Sequence, residues 1–336
     1  MTESSSRAQF VDEPRERDVL TERVIGRLPG PRVLWIIAWA VAPIGLSGVL
    51  SSMAAESSEV SDLEIEAIGA AISVYVVGLA LWAAPYLTRE ARRLKTLVTE
   101  LAETGTDPRW LGGVASTAGP VLLAASITIL EDVGLVPPLG VMDLLVLFSI
   151  QFLEHLPLAT GVWVVWTILV SVYRLGQVDL RLDSHSGDST LGLEPIGRMA
   201  VLAFGIFAAG LAPILLANTD SGVAVAINGG TFLIVVGVFV GALWGIHRQM
   251  LKTRDEALSQ ARRQLGRVST RIASSTEPTL NDRDATLLLA TDILERRARE
   301  IAAWPMTGGL YVRTGAILTG VLILLITRVI ATALGV

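Results

Sequence analysis

Groups able to do covalent or metal chemistry are few in this chain. It has no cysteine and three histidines, which excludes thiolate nucleophiles, disulfides and cysteine zinc sites. His185 stands near Asp179, Asp183 and Asp188, and imidazole with carboxylates can hold a divalent cation. Their spacing is irregular and the surroundings are rich in Ser and Gly, so a solvated loop is the stronger reading. His155 and His247 fall at the ends of apolar runs and read as interfacial side chains. There is no phosphate-binding glycine loop, paired-histidine zinc motif or nucleophile with an adjacent base. The sequence therefore predicts no enzyme, cofactor, metal centre or nucleic-acid partner.

The remaining functional candidates lie in apolar surroundings. Arg328 is the one basic residue inside an apolar run near the end of the chain. At helical spacing, Thr314, Ile317, Val321, Leu324 and Arg328 share a stripe. Facing a pore, that stripe would form an apolar constriction able to gate by dewetting. The alternative is an arginine that snorkels to the outer headgroups. Tyr75, Phe148, Phe152, Trp163 and Trp166 place rings in one half of the apolar region. They suit either a pocket for an apolar small molecule or an ordinary interfacial belt. Gly237, Gly241 and Gly245 recur every four residues, a spacing that lets another helix approach closely.

The elements that must position these groups are membrane helices. The chain has 336 residues, 51% hydrophobic and 18% charged, and its apolar residues fall in long charge-free runs. A bilayer-spanning helix needs about 20 such residues. Seven runs qualify, near 33–54, 67–88, 111–130, 156–175, 196–217, 223–247 and 312–334. A soluble globular enzyme is excluded. The polar opening, with six acidic and six basic residues in 1–32, does not read as a signal peptide. Residues 139–153 are apolar but short and contain Asp143. They are expected to form a re-entrant or surface-lying helix, or an extension of the fourth span.

Basic residues set the orientation. Of 27, six lie in the N-terminal tail, five between the second and third spans, three between the fourth and fifth, and twelve between the sixth and seventh. A seven-span arrangement puts all of these on one side, so the N-terminus is expected in the cytoplasm and the C-terminus outside. The opposite loops carry ten acidic residues, from Glu56 to Asp220, and no basic ones. They could concentrate cations at a vestibule, or simply reflect retention of positive charge inside. The expected organisation is all-α and polytopic. A polar cytoplasmic tail over 1–32 precedes six membrane helices over 33–247. A cytoplasmic helical hairpin over 248–311 and a last membrane helix over 312–336 follow.

In the hairpin, Leu251, Leu258, Leu265 and Ile272 repeat every seven residues, with Ala261 and Val268 between them. Pro278 marks the turn. Leu287, Ala290, Leu294, Ala298 and Ile301 give the second helix one apolar face. The hairpin is read as an oligomerisation or gating collar, or as a pair that packs on its own subunit.

This order of elements resembles the seven-transmembrane ion-channel superfamily of insect odorant and gustatory receptors and their prokaryotic relatives, over about residues 33–336. The resemblance implies a homotetramer with a central pore lined by the last helix and an apolar ligand pocket in the outer half of each subunit. Arg328 would oppose cation passage. The loop 179–197 is also similar to a segment of uncharacterised prokaryotic membrane proteins, through Ser184-His185-Ser186 and Leu191-Gly192-Leu193. The expected function is an oligomeric ligand-gated channel in the cell membrane. The alternatives are a sensor or scaffold signalling through the hairpin, and a small-solute transporter.

Overall fold

The computed structural model describes residues 19–54, 60–101, 116–135, 141–180, 182, 188–217, 222–274 and 282–334. Among these the chain is all helical. The elements are α1 (Leu20–Ile25), α2 (Arg32–Ala54), α3 (Val60–Leu101), α4 (Ala118–Leu135), α5 (Val141–Leu175), α6 (Glu194–Ala217), α7 (Gly222–Ser274), α8 (Asp282–Glu300) and α9 (Gly308–Leu334). The predicted His185–Asp183 cluster and the Pro278 turn lie outside the described residues. So does most of the N-terminal tail. Among the described residues, five helices contain stretches long and apolar enough to cross a membrane: α3, α5, α6, α7 and α9. The apolar stretches described in α2 and α4 are shorter.

α5 is the central post. Its apolar stretch is 61% buried, against 6% for that of α9. α3 packs along it; α1, α2 and α6 each contact both helices of this pair, α4 contacts α5, and α7 contacts α5 and α6. α9 is attached to α6 and α7. α1 is buried through Thr21 and Ile25, and Glu22 meets Arg32 at 2.8 Å. Residues 20–25 of the N-terminal segment thus pack as a short helix against α2, α3 and α5.

Within the uncertain segment 139–153, residues 141–153 are the beginning of α5, which runs unbroken for 35 residues, or about 52 Å. Of the readings open in the sequence, the extension of the fourth span is the one found. Pro157 lies inside this helix and offers no N–H to the carbonyl four residues earlier, that of Leu153. The indole N–H of Trp39 on α2 donates to that carbonyl at 2.9 Å. A backbone group left unsatisfied in hydrocarbon costs several kcal/mol, so the bond explains how the helix passes through its proline.

α7 has 53 residues and extends about 80 Å, far beyond a ~30 Å hydrocarbon core. Its distal part pairs with α8. Ala261 and Val268 are buried in the seam, as the heptads predict, and Leu251, Leu258, Leu265 and Ile272 are half-buried. On α8 the buried positions are Thr291 and Ala298, with Ile301 just beyond the helix end, while Leu287 and Ala290 are exposed. The predicted stripe is thus buried at Ala298 and Ile301 and half-buried at Leu294, and Leu287 and Ala290 depart from it. Thr291 can be buried because its hydroxyl donates to the Leu287 carbonyl at 2.7 Å. Glu295 locks the pair, accepting from Arg299 on its own helix at 2.6 Å and from Arg262 of α7 at 3.5 Å.

Candidate functional site

A cavity of about 270 Å³ lies between α3, α5, α6 and α7. It exists because the helices present small residues there: Ala80 and Ala83 of α3, Gly161 of α5 and Gly210 of α6. A Cβ at Gly161 would sit 3.2 Å from that of Ala80, and one at Gly210 would be 3.8 Å from a Leu79 methyl. Larger side chains such as Leu158, Phe207 and Ile214 close the walls. Thr231 supplies the single hydroxyl, and no lining residue is charged. Such a space suits an apolar ligand.

α6 separates this cavity from α9. Ile206, Phe207 and Gly210 line the cavity. The adjacent Gly205 is where Ile317 of α9 rests, its Cδ1 3.2 Å from the position a Cβ would take. Leu310, Thr314 and Val321 are the buried residues of α9. The stripe Thr314, Ile317, Val321, Leu324 and Arg328 thus begins as the seam with the chain's own bundle. Thr314 and Val321 are buried, and Ile317, Leu324 and Arg328 are half-buried. The opposite face, with Val312, Thr319, Ile323, Ile326 and Ile330, is exposed.

The five aromatic candidates do not line the cavity. Phe148 and Phe152 stack on one another, with centroids 6.2 Å apart. Phe152 packs on Ala124 and Leu156, on the α4 side of α5. The Trp163 indole covers Gly119 at the start of α4, where a Cβ would fall 2.3 Å from the ring. Tyr75 and Trp166 are exposed. The small residues that do open the cavity were visible in the sequence as glycines and alanines within spans. Nothing in their spacing showed that three helices would turn them toward one another.

Of the three spaced glycines, Gly245 is a close crossing. A Cβ there would lie 2.8 Å from the Gly176 backbone, and the converse holds at 2.7 Å. Gly237 and Gly241 face open space. The crossing begins a junction at the foot of the bundle. Gln249 donates to the carbonyls of Gly176 and Val178 at 2.9 and 2.6 Å. Nδ1–H of His247 donates to the Ala303 carbonyl at 2.6 Å, and its ring stacks on Trp304 at 4.2 Å. Gly197 of α6 admits the Pro305 carbonyl so closely that a Cβ would overlap it, at 1.6 Å. The segment between α8 and α9 is therefore clamped by α6 and α7 together. His155 likewise has a defined role. Thr128 donates its hydroxyl proton to the Ala124 carbonyl at 3.0 Å and so accepts from Nδ1–H of His155 at 3.1 Å.

Asp188, singled out as a possible ligand of a cation, is instead a loop cap. Its carboxylate accepts from the backbone N–H of Thr190 and Gly192 and from the Thr190 hydroxyl, at 2.7–2.9 Å. Burial alone would raise its pKa. Those hydrogen bonds outweigh burial and hold it below the usual carboxylate value. The cap steadies Leu191 and Gly192 at positive φ, 56° and 80°, and Ser189 accepts from the Ala302 N–H at 2.8 Å.

The chain is an all-helical protein with several apolar helices of membrane-spanning character, and no protein-family model, curated protein or solved structure matches it.

Proposed function

We propose that this chain is a subunit of a homo-oligomeric, ligand-gated ion channel in the cell membrane. It would have seven spans, counting α2 and α4, and no catalytic role. The observation that carries this reading is the position of α6, with the apolar cavity on one face and the last helix on another. A ligand filling the cavity presses on Ile206 and Phe207. The Gly205 seat of Ile317 moves with them, and α9 follows. α9 can follow because little of it is held by the rest of the chain. Its exposed face, with Thr319 flanked by Val312, Ile323 and Ile330, is the one available to neighbouring copies or to an axial pore. The resemblance of element order supports four copies, and the distribution of basic residues supports an internal N-terminus and external C-terminus.

Two measurements test the reading. Native mass spectrometry of the detergent complex is expected to show a closed oligomer, four subunits on the resemblance. Liposomes containing it are expected to leak ions, and filling the cavity by Ala83→Leu should change that flux. A monomer whose liposomes stay tight would sink the channel. The hairpin supports a second reading, a membrane sensor that engages a cytoplasmic partner. Leu289 and Ile293 are 64% and 45% exposed on the outer face of α8, far from the apolar stretch of the adjoining helix. A monomer that captures a partner only while Leu289 and Ile293 are intact would favour it.

A further inference from the structure

The structure points to the chemistry of the molecule that fills the cavity. A second cavity, of about 410 Å³, lies at the hairpin-side ends of α3 and α6. The two follow one another along the same pair of helices. On α3, Glu90 and Tyr86 line the lower cavity and Leu87, Ala83 and Val76 the upper one. On α6, Arg198 and Leu202 lie below, with Ile206, Gly210 and Ile214 above. Tyr86 and Leu87 are consecutive, and Leu202 and Ile206 are one turn apart. From Arg198 to Ile214 the α6 axis rises about 24 Å. One bilayer leaflet with its headgroup layer measures about 20–22 Å.

The chemistry changes from the upper cavity to the lower one as it does along a lipid. The upper part is uncharged. The lower part gathers the Arg198 guanidinium, the Tyr86 hydroxyl and the carboxylates of Glu90, Asp188 and Glu194. Asp188 is occupied by its loop, Glu90 also meets Arg93 at 2.7 Å, and Glu194 accepts from Thr307 at 3.5 Å. Arg198 has no hydrogen bond or ion pair among the described residues. A simple anion would meet three carboxylates there, and a simple cation would meet the guanidinium. A head that carries both charges satisfies both sets.

We propose that α3 and α6 bind a membrane phospholipid whose head carries a phosphate and a primary ammonium, from the leaflet on the hairpin side. The phosphate sits on Arg198, the ammonium lies toward Glu90 and Glu194, and one acyl chain runs up the groove into the cavity. This names the occupant of the site invoked for gating. It rests on that cavity being a binding site and is independent of conduction.

The test is native mass spectrometry of the full chain in detergent, titrated separately with palmitoyl-oleoyl phosphatidylethanolamine, phosphatidylcholine and phosphatidylglycerol. The ethanolamine lipid is expected to be retained about tenfold more tightly than the others, because only it has a phosphate and a hydrogen-bonding ammonium. Arg198→Gln should weaken that retention about tenfold. Gly210→Trp should abolish it by filling the shaft, and Ala83→Leu tests the same shaft if the tryptophan variant does not fold. Gly237→Trp, in open space on α7, should leave it intact. Equal retention of all three lipids overturns the proposal. So does a lipid complex undiminished in the Arg198 and shaft variants. Lost headgroup selectivity with ion flux intact sinks this assignment alone, whereas selective binding without flux sinks only the channel.

Discussion

Single residues decide where helices touch in this protein. Gly176, just past the end of α5, and Gly245 of α7 come into backbone contact, and any Cβ there would meet backbone atoms below 3 Å. Gly245→Ala should therefore cost about 1–3 kcal/mol by overpacking, read as a lowered Tm in detergent. Gly237→Ala and Gly241→Ala, which meet nothing, should change Tm little. A similar depression at all three positions would show that the glycine spacing, not the single crossing, holds the helix. Asp188 gives a pH signature. Its folded pKa lies below the usual 3.8, so its contribution to stability is full above that value. The contribution fades as pH falls through the folded pKa. Asp188→Asn should lower Tm at pH 7, and the gap to the unmodified chain should narrow below about pH 4. A gap that stays constant with pH would mean that the charge is not what caps the loop.

At the scale of elements, the informative case is α5. The sequence places a proline and two polar residues after a short apolar run, and such a pattern ends most helices. Here the helix continues because an indole from another helix satisfies the carbonyl that Pro157 leaves open. Trp39→Phe keeps the ring's bulk and removes the donor. It should cost about 1–3 kcal/mol, seen as a lower Tm, while Trp35→Phe should cost less, because its partner carbonyl, Pro29, lies in a turn outside the helices. Equal effects would remove the special role of Trp39. For α9 the periodicity groups Thr314, Ile317, Val321, Leu324 and Arg328 on one stripe, but it does not say what that stripe meets. The face turns inward because Gly205 leaves room for Ile317.

For the whole molecule, the prediction concerns sidedness. The chain has no cysteine, so single cysteines report without background. With a membrane-impermeant maleimide on intact cells, Ala333→Cys at the end of α9 should label, and Thr270→Cys on the distal part of α7 should not. Labelling of Thr270→Cys would place the hairpin outside and reverse the orientation argued from the basic residues. The same two variants, labelled after lysis, control for folding and access.

Helical, membrane-spanning character is legible in the order of the residues alone, because charge-free runs of spanning length have few other solutions in water or lipid. A continuous heptad without proline also shows that α7 runs on and leaves a seam to be covered, and the structure covers it with α8. Where the helices touch is set by the packing of one helix on another. The cavity depends on Ala80, Ala83, Gly161 and Gly210 arriving from three helices, and no local pattern encodes that meeting. The same holds for the five aromatic residues: Phe148 and Phe152 stack on one another, Trp163 covers Gly119, and Tyr75 and Trp166 are exposed. Periodicity fixes which residues lie on one face of a helix. The neighbour that each face finds depends on helix order, crossing contacts and side-chain volume, and these are properties of the packed bundle.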